Sequence, residues 1–354
     1  MVEGNILDAD AHALVNTVNI VGVMGKGIAL QFKRAFPEMF KAYEAACKAK
    51  KLLLGEMHVF DRGSMLNPRY IINFPTKSHW KGASRIADIE AGLGALVNEI
   101  RSRGIKSVAI PPLGCGNGGL PWEAVRPLIE SALDQIPEVE ALVYAPKGAP
   151  AAHAMLNATV RPVMTAPRAN IIRLLSEYCV LGYELTLLEV QKILYLLQEA
   201  GEPLLLRFQK GPYGPYADNV RQVLDRFEGH FIQGFGDGKN SPGTTIRIFD
   251  EAVREARSIS DQNSTHDQQE RVKRVFALIE GFESPYGMEL LASVHWVITK
   301  EGAGEKPESA VDAVHLWNDR KRRIMKPEHI RVAFIRLQEL HWLREDAAGP
   351  AIQG

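Results

Sequence analysis

The chain has 354 residues, 46% of them apolar, with 42 basic and 42 acidic side chains and no formal net charge. That length suits two domains with real cores, and the balance excludes wholesale electrostatic attraction to a polyanion, so any nucleic acid must be recognised locally. Cys47, Cys115 and Cys179 lie far apart without CxxC spacing, which argues against a disulfide framework or a cysteine zinc site and for a reducing compartment. The first twelve residues carry early acids and no apolar stretch of the signal-peptide kind, and no run reaches membrane-spanning length, so a cytoplasmic protein with no membrane partner is expected.

Strand-like and helix-like segments alternate through the first 146 residues. Ala13–Asn19 is apolar and β-branched, which predicts a strand. Gly25–Phe36 has helical spacing and stops at Pro37, and Tyr43, Ala46 and Cys47 mark a second amphipathic helix. Strands are expected at Met57–Phe60, Tyr70–Phe74, Ser107–Ile110 and Val139–Ala145, and helices at Arg85–Arg103 and Pro121–Leu133, the latter with proline in its first turn. This alternation predicts an α/β sandwich with helices on both faces of a sheet.

Residues 151–168 are rich in proline and alanine and are expected to be a linker. Beyond it the character changes. Ile171–Val180, Leu185–Ala200, Asp218–Phe227, Asp250–Ile279, Met288–Ile298 and Pro327–Leu343 all have helical periodicity, with short strand-like pieces at Leu204–Phe208 and Thr245–Phe249. An α/β unit at 1–150 and a mainly α-helical second domain at 169–354 are therefore expected.

Three segments of the first half carry chemistry, each where a strand runs out. Ligands of open α/β sheets bind just beyond the carboxyl ends of strands. Asn19–Gly27 leads from a strand through glycines into a helix, where backbone N–H groups can approach an anion. Leu113–Trp122 packs four glycines into six residues and can wrap a diphosphate, but it lacks the GK[ST] of a Walker loop. Asn73–Trp80 places Lys77 between Phe74 and Trp80, where partial desolvation would lower its pKa and make it a nucleophile or an acid/base, with His79 competing for the role. Each has a plainer reading as well: an ordinary βα turn, a flexible loop, a solvated lysine or histidine.

Together GNIL, ALVNTVN, GVMGKGIALQFK, INFPTK and PPLGCGNGGLPW resemble the macrodomain family over roughly residues 1–146, and within it the branch of bacterial DNA ADP-ribosyl glycohydrolase antitoxins. The resemblance implies a three-layer fold with a mixed sheet and a metal-free, cofactor-free hydrolysis. It implies that Lys77 acts at the anomeric carbon of ADP-ribose, either as a neutral nucleophile or as an acid assisting the leaving group. It assigns Asn5 and Ile6 to adenine, Asn19 to the distal ribose, and Gly22, Met24, Gly25 and Gly27 to the ribose and diphosphate. Thr76 would stand beside Lys77, and Gly114, Cys115, Gly116, Asn117 and Gly118 would cover the phosphates. Two departures stand out. Asn5 replaces an aspartate frequent in macrodomains, and Gly118 or its neighbours occupy the place of a catalytic aspartate in related protein glycohydrolases.

In the second half Gln191–Gln198 and Phe208–Tyr216 resemble the SocA-like (Panacea) antitoxin domain. That implies a surface binding a cognate DarT-like toxin, a DNA ADP-ribosyltransferase, with Tyr213 and Tyr216 of the stiff GPYGPY run either in that surface or packed on the helices. Arg320–Arg323 offers a contact for a polyanion or an acidic partner, or, more plainly, a solvated helix end. The expected substrate is ADP-ribosylated single-stranded DNA, modified on thymidine, with ADP-ribose as product. The alternatives are a non-catalytic ADP-ribose reader, a protein mono-ADP-ribosyl glycohydrolase, or a toxin-binding protein with a vestigial macrodomain.

Overall fold

In the computed structural model, residues 1–179, 185–238, 240–304 and 306–343 are described. Val180, the expected end of one helix, and residues 344–354 of the expected second domain lie outside them. The chain divides into two units, one of residues 1–160 with 236–239, the other of residues 161–235 with 240–354.

In the first unit, strand β1 (Ala13–Asn19) alternates its side chains between two buried apolar layers. Ala13 and Val15 join one cluster; Leu14 and Val18 join the other. A sheet buried on both faces needs a cover on each. Helices α1 (Gly27–Ala35) and α2 (Pro37–Lys48) cover one face through Phe32, Met39 and Tyr43. Helices α3 (Ile86–Ser102) and α4 (Trp122–Leu133) cover the other through Ile89, Leu93, Leu96, Val125 and Ile129. Strands β2 (His58–Asp61), β3 (Tyr70–Lys77), β4 (Ser107–Ile110) and β5 (Glu140–Val143) complete a sheet of order β2-β3-β1-β4-β5. Only β2 runs antiparallel to its neighbour, so the sheet is mixed. A buried amide pair pins the register: Asn16 donates to Asn73 at 2.9 Å across β1 and β3.

The second unit is mainly helical around one apolar core. Its elements are α5 (Ala166–Tyr178), β6 (Leu185–Thr186), α6 (Leu187–Glu199), β7 (Gln209–Gly211), β8 (Gly214–Tyr216), α7 (Val220–Phe227), β9 (Ile232–Gln233) and β10 (Thr245–Ile248). Helices α8 (Asp250–Asn263), α9 (His266–Ile279), α10 (Pro285–Thr299), α11 (Pro307–Trp317), α12 (Asp319–Ile324) and α13 (Pro327–Glu339) follow. Helix α6 begins with a reciprocal capping box between Thr186 and Glu189 and is buried along most of its length.

Several expectations need correction. Helix α5 starts inside the stretch expected as linker. Leu204–Phe208 is not a strand: Gln198 donates to Leu206 O and accepts from Leu206 N (3.0 and 2.7 Å), so a side chain takes the place of a ladder partner. The hairpin forms one step later, with Gln209 opposite Tyr216. The long helix expected over Asp250–Ile279 breaks at Ser264–Thr265, because Thr265 caps a new helix with Gln268 in a second capping box. Helices α11 and α12 had no counterpart in the sequence reading. Arg320–Arg323 is not simply a solvated end, since Lys321 is fully buried, bonded to Glu289 (2.7 Å) and Ser293 (2.8 Å).

Candidate active site

The three loops emerge from the carboxyl ends of β3, β1 and β4, which are neighbours in the sheet. Register brings Asn19 and Lys77 opposite one another, with an irregularity between Val18 and Asn19 that re-aims the last residue of β1. Thr76, buried beside Lys77, donates to Val18 O at 3.4 Å and ties the two strand ends together.

Asn19 is the pin of the first loop. Its Nδ2 donates to Val23 O at 2.6 Å, and its Oδ1 accepts from Val21 N (3.0 Å) and Val23 N (3.3 Å). The side chain expected at the ribose thus orders the backbone that would meet the ribose. Tyr43 of α2, fully buried, donates to Asn19 O at 2.6 Å. Burial pushes the Tyr43 hydroxyl well above the usual tyrosine range, so it stays a donor. Gly22 adopts φ +83°, and a Cβ there would press on Cys47 of α2 at 3.4 Å. Gly25 is exposed, whereas Met24 is buried in the core, its sulfur accepting from Asn16 Nδ2 at 3.8 Å. Met24 therefore anchors the loop from beneath.

Gly27 opens α1 at φ +63°, and its N–H donates to Asp237 O at 2.9 Å. Arg34 of the same helix donates to Gly236 O. Part of the expected anion-facing helix end is therefore already occupied by the Asp237 carbonyl, from a segment that belongs to this unit. Nothing local in the sequence signals that contact.

The second loop is tightly built. Gly114 lies at φ +72°, where a Cβ would come within 2.9 Å of Leu120 Cδ1. A Cβ on Gly118 would overlap Ser84 Oγ and the carbonyl of Gly114. Ser84 N donates to Gly118 O at 2.9 Å, which ties this loop to the segment after Lys77. The buried Ser84 hydroxyl has no hydrogen-bond partner among the described residues. Ser84 carries no signal in the sequence, because it meets Gly118 across 34 positions of chain. Gly116 and Asn117 are exposed at the loop's crest. Cys115 leans inward, with Sγ 3.5 Å from Leu113 O, and burial pushes its thiol up to about 11, so it is no thiolate nucleophile at neutral pH.

Lys77 joins the loops. Its Nζ donates to Asn117 O at 2.9 Å. Partial burial holds its pKa below the usual lysine range. Residues 19–27, 76–84 and 113–121 contain no aspartate or glutamate, so no carboxylate within the loops restores the charge. At the other end, Asn5 caps a short 3-10 turn, Ile6–Asp8, by accepting from Leu7 N at 3.2 Å. Its Nδ2 is buried without a partner among the described residues, and Ile6 is buried beside it in sequence. The amide has an unused donor there, where a nucleobase ring nitrogen would accept. His79 and Trp80 lie on the exposed turn after Lys77. Among the described residues no group of three His, Cys, Asp or Glu side chains is placed to hold a metal ion, and no helix is long and apolar enough to cross a membrane.

Two glycine-rich loops with a partly desolvated amine at their join suit a nucleotide sugar whose terminal carbon is to be attacked or relieved of its substituent. Comparison with known proteins agrees. The Macro domain family model matches residues 15–129. A protein of Thermus aquaticus named DNA ADP-ribosyl glycohydrolase is 45% identical over 345 residues, covering 98% of this chain and 94% of its own. A Mycobacterium tuberculosis protein of the same name is 45% identical over 352 residues, covering 94% of this chain and 97% of its own. A Thermosipho africanus protein named as a DNA ADP-ribosyl transferase–DNA ADP-ribosyl glycohydrolase fusion is 38% identical over 161 residues, 41% of each chain. Identity at that level across nearly the whole length of two relatives, on a macrodomain sheet with these loops, places the chain in the DNA ADP-ribosyl glycohydrolase family.

Proposed function

We propose that the chain removes ADP-ribose from ADP-ribosylated thymidine in single-stranded DNA, with Lys77 as its catalytic residue. The observation that carries the reading is the amine of Lys77, held at the join of two glycine loops, lowered in pKa, and bonded to a neutral carbonyl. A module that only holds ADP-ribose has no use for such a group. In the step we favour, the neutral amine bonds to the anomeric carbon as the bond to the base nitrogen breaks. The electron pair leaves on the base, which receives the proton given up by the attacking nitrogen. Water then displaces the amine, restoring Lys77 and releasing ADP-ribose with a new hydroxyl. The backbone N–H groups of the glycine loops would hold the diphosphate.

The test is release of ADP-ribose from a modified single-stranded oligonucleotide, wild type beside Lys77→Ala. Turnover should fall by at least about 10²-fold, with ADP-ribose affinity kept. Equal turnover by the variant refutes the role of Lys77. Faster release from a modified peptide than from the oligonucleotide refutes the DNA assignment.

The helical unit we assign to binding the cognate DarT-like transferase. Two observations support this: the family relatives match across both halves of the chain, and a relative joins transferase and glycohydrolase in one polypeptide. The SocA-like run Phe208–Tyr216 forms a hairpin whose Tyr213 is half-exposed under the Arg320 guanidinium, 4.5 Å from the ring centre. Removing residues 169–354 should abolish capture of the transferase, and retained capture would refute the assignment.

A further inference from the structure

Three residues beyond Lys77, the turn at 79–82 exposes a large aromatic surface. Trp80 is 48% exposed, the only tryptophan among the exposed large apolar side chains of the described residues. Its ring lies 5.3 Å from that of His79 at an interplanar angle of 30°. Lys81 Nζ lies over the Trp80 ring, 4.9 Å from its centre, on a flexible stem that can swing aside. The turn is ordered rather than loose: Gly82 N donates to His79 O at 3.0 Å, and Lys81 N donates to His79 Nδ1 at 3.2 Å, fixing the imidazole. Residues 76–84 hold two lysines and a histidine and no acid. An exposed indole offers a flat face on which a planar ligand can stack. Three residues of chain span at most about 11 Å, so Trp80 lies within reach of whatever adjoins the group that Lys77 would attack.

We propose that Trp80, backed by His79 and flanked by Lys81, is the platform on which a base next to the modified nucleotide stacks, so that the site takes its substrate as single-stranded nucleic acid. The inference rests on the DNA reading above. Its chemistry is specific to single strands. An aromatic plate accepts any base face that is free of its helical neighbours, and an adjacent cation meets the phosphate backbone. In a duplex those faces are already stacked. The neutral charge of the whole chain fits as well, because recognition is then local and aromatic rather than a long-range field.

The experiment uses the full chain as wild type, Trp80→Ala and Trp80→Phe. Binding of a labelled, unmodified thymidine oligonucleotide is followed by anisotropy, single-stranded and as a duplex. Turnover is measured on a modified single-stranded oligonucleotide and on the modified nucleoside alone, which has no neighbouring base. Trp80→Ala should weaken single-strand binding and raise KM for the oligonucleotide on the order of tenfold, a loss much larger than any change in the nucleoside reaction. Trp80→Phe should keep most of the wild-type behaviour. Unchanged single-strand binding in Trp80→Ala overturns the platform. So does a loss shared equally by oligonucleotide and nucleoside, which would make Trp80 merely structural. If wild type releases nothing from either substrate, the glycohydrolase reading fails, while the anisotropy series still judges the platform by itself.

Discussion

Gly118→Ala tests whether the second loop works through close backbone packing. A Cβ at 118 would overlap both Ser84 Oγ and the Gly114 carbonyl, and sit 2.9 Å from Ser84 Cβ. Ser84 can turn its hydroxyl away, but the Gly114 carbonyl is backbone held at φ +72° and cannot. Overpacking of this kind costs about 1–3 kcal/mol. The relaxation open to the chain is a shift of residues 114–118 by about an ångström, which carries Asn117 O away from Lys77 and at that size costs on the order of 10²-fold in rate. Gly119→Ala is the control: it also has positive φ, at +79°, but a Cβ there meets nothing within 4 Å, so it should cost about 1 kcal/mol of stability and leave the site in place. Ser84→Gly removes one of the two collisions, so the Ser84→Gly/Gly118→Ala pair should recover part of the loss, with a coupling of about 0.5–3 kcal/mol. The assays are ADP-ribose calorimetry and turnover at matched folded fraction. Wild-type affinity and rate in Gly118→Ala would refute the packing argument.

The rate of the free enzyme should rise with pH through a midpoint below the ordinary lysine range, because burial lowers the Lys77 pKa and the proposed step uses the neutral amine; a rate falling through that midpoint makes Lys77 an acid instead. Burial pushes Lys192 down to about 7 and Lys321 to about 8, so between those values and about 10.5 the unfolded chain binds more protons than the folded one, and the helical unit should gain up to about 1.4 kcal/mol per pH unit per lysine as pH rises. Amide exchange of α6 reads this, and Lys192→Met should flatten the slope. Glu289→Ala leaves Lys321 buried without its carboxylate and should cost the helical unit about 3–5 kcal/mol in denaturant unfolding. Tyr43→Phe removes the 2.6 Å bond to Asn19 O and should cost about 1–2 kcal/mol and weaken ADP-ribose binding, as read by melting and calorimetry; unchanged affinity would free the first loop from its support in α2.

What was legible in the sequence was what is local. β1 announces itself because Ala13–Val18 supplies both core faces in six consecutive residues, and α6 because its apolar stripe recurs at helical spacing. The three loops were visible because glycines, Lys77 and Asn19 stand where strands end. Their supports were not, because each comes from a distance: Tyr43 beneath Asn19, Ser84 against Gly118, and the Asp237 carbonyl on α1. The same holds for charge. Arg320–Arg323 looks like a solvated run until Glu289, on another helix, draws Lys321 inside. Leu204–Phe208 has strand composition, but Gln198 takes both backbone groups of Leu206 before a neighbouring strand can. Periodicity reports which residues are apolar, not which side chain reaches a backbone group first.

The missing carboxylate ties the chemistry to the architecture. Breaking a glycosidic bond builds positive charge on the sugar ring, and hydrolases commonly set a carboxylate against it. The three loops here present Lys26, Lys77 and Lys81 and no acid. A protonated Lys77 would stand as a like charge beside that developing cation, a repulsive arrangement at a partly desolvated site. In the proposed step a neutral Lys77 would remove the problem by forming a bond where the charge would appear. The bond from Lys77 to a carbonyl, rather than to a carboxylate, serves the same end: Asn117 O orients the amine without holding its proton. On this argument a carboxylate introduced on the residue whose main-chain carbonyl holds the amine, as in Asn117→Asp, would raise the Lys77 pKa and slow the reaction at neutral pH. A faster Asn117→Asp enzyme at neutral pH would mean that the cation, not the nucleophile, limits the rate.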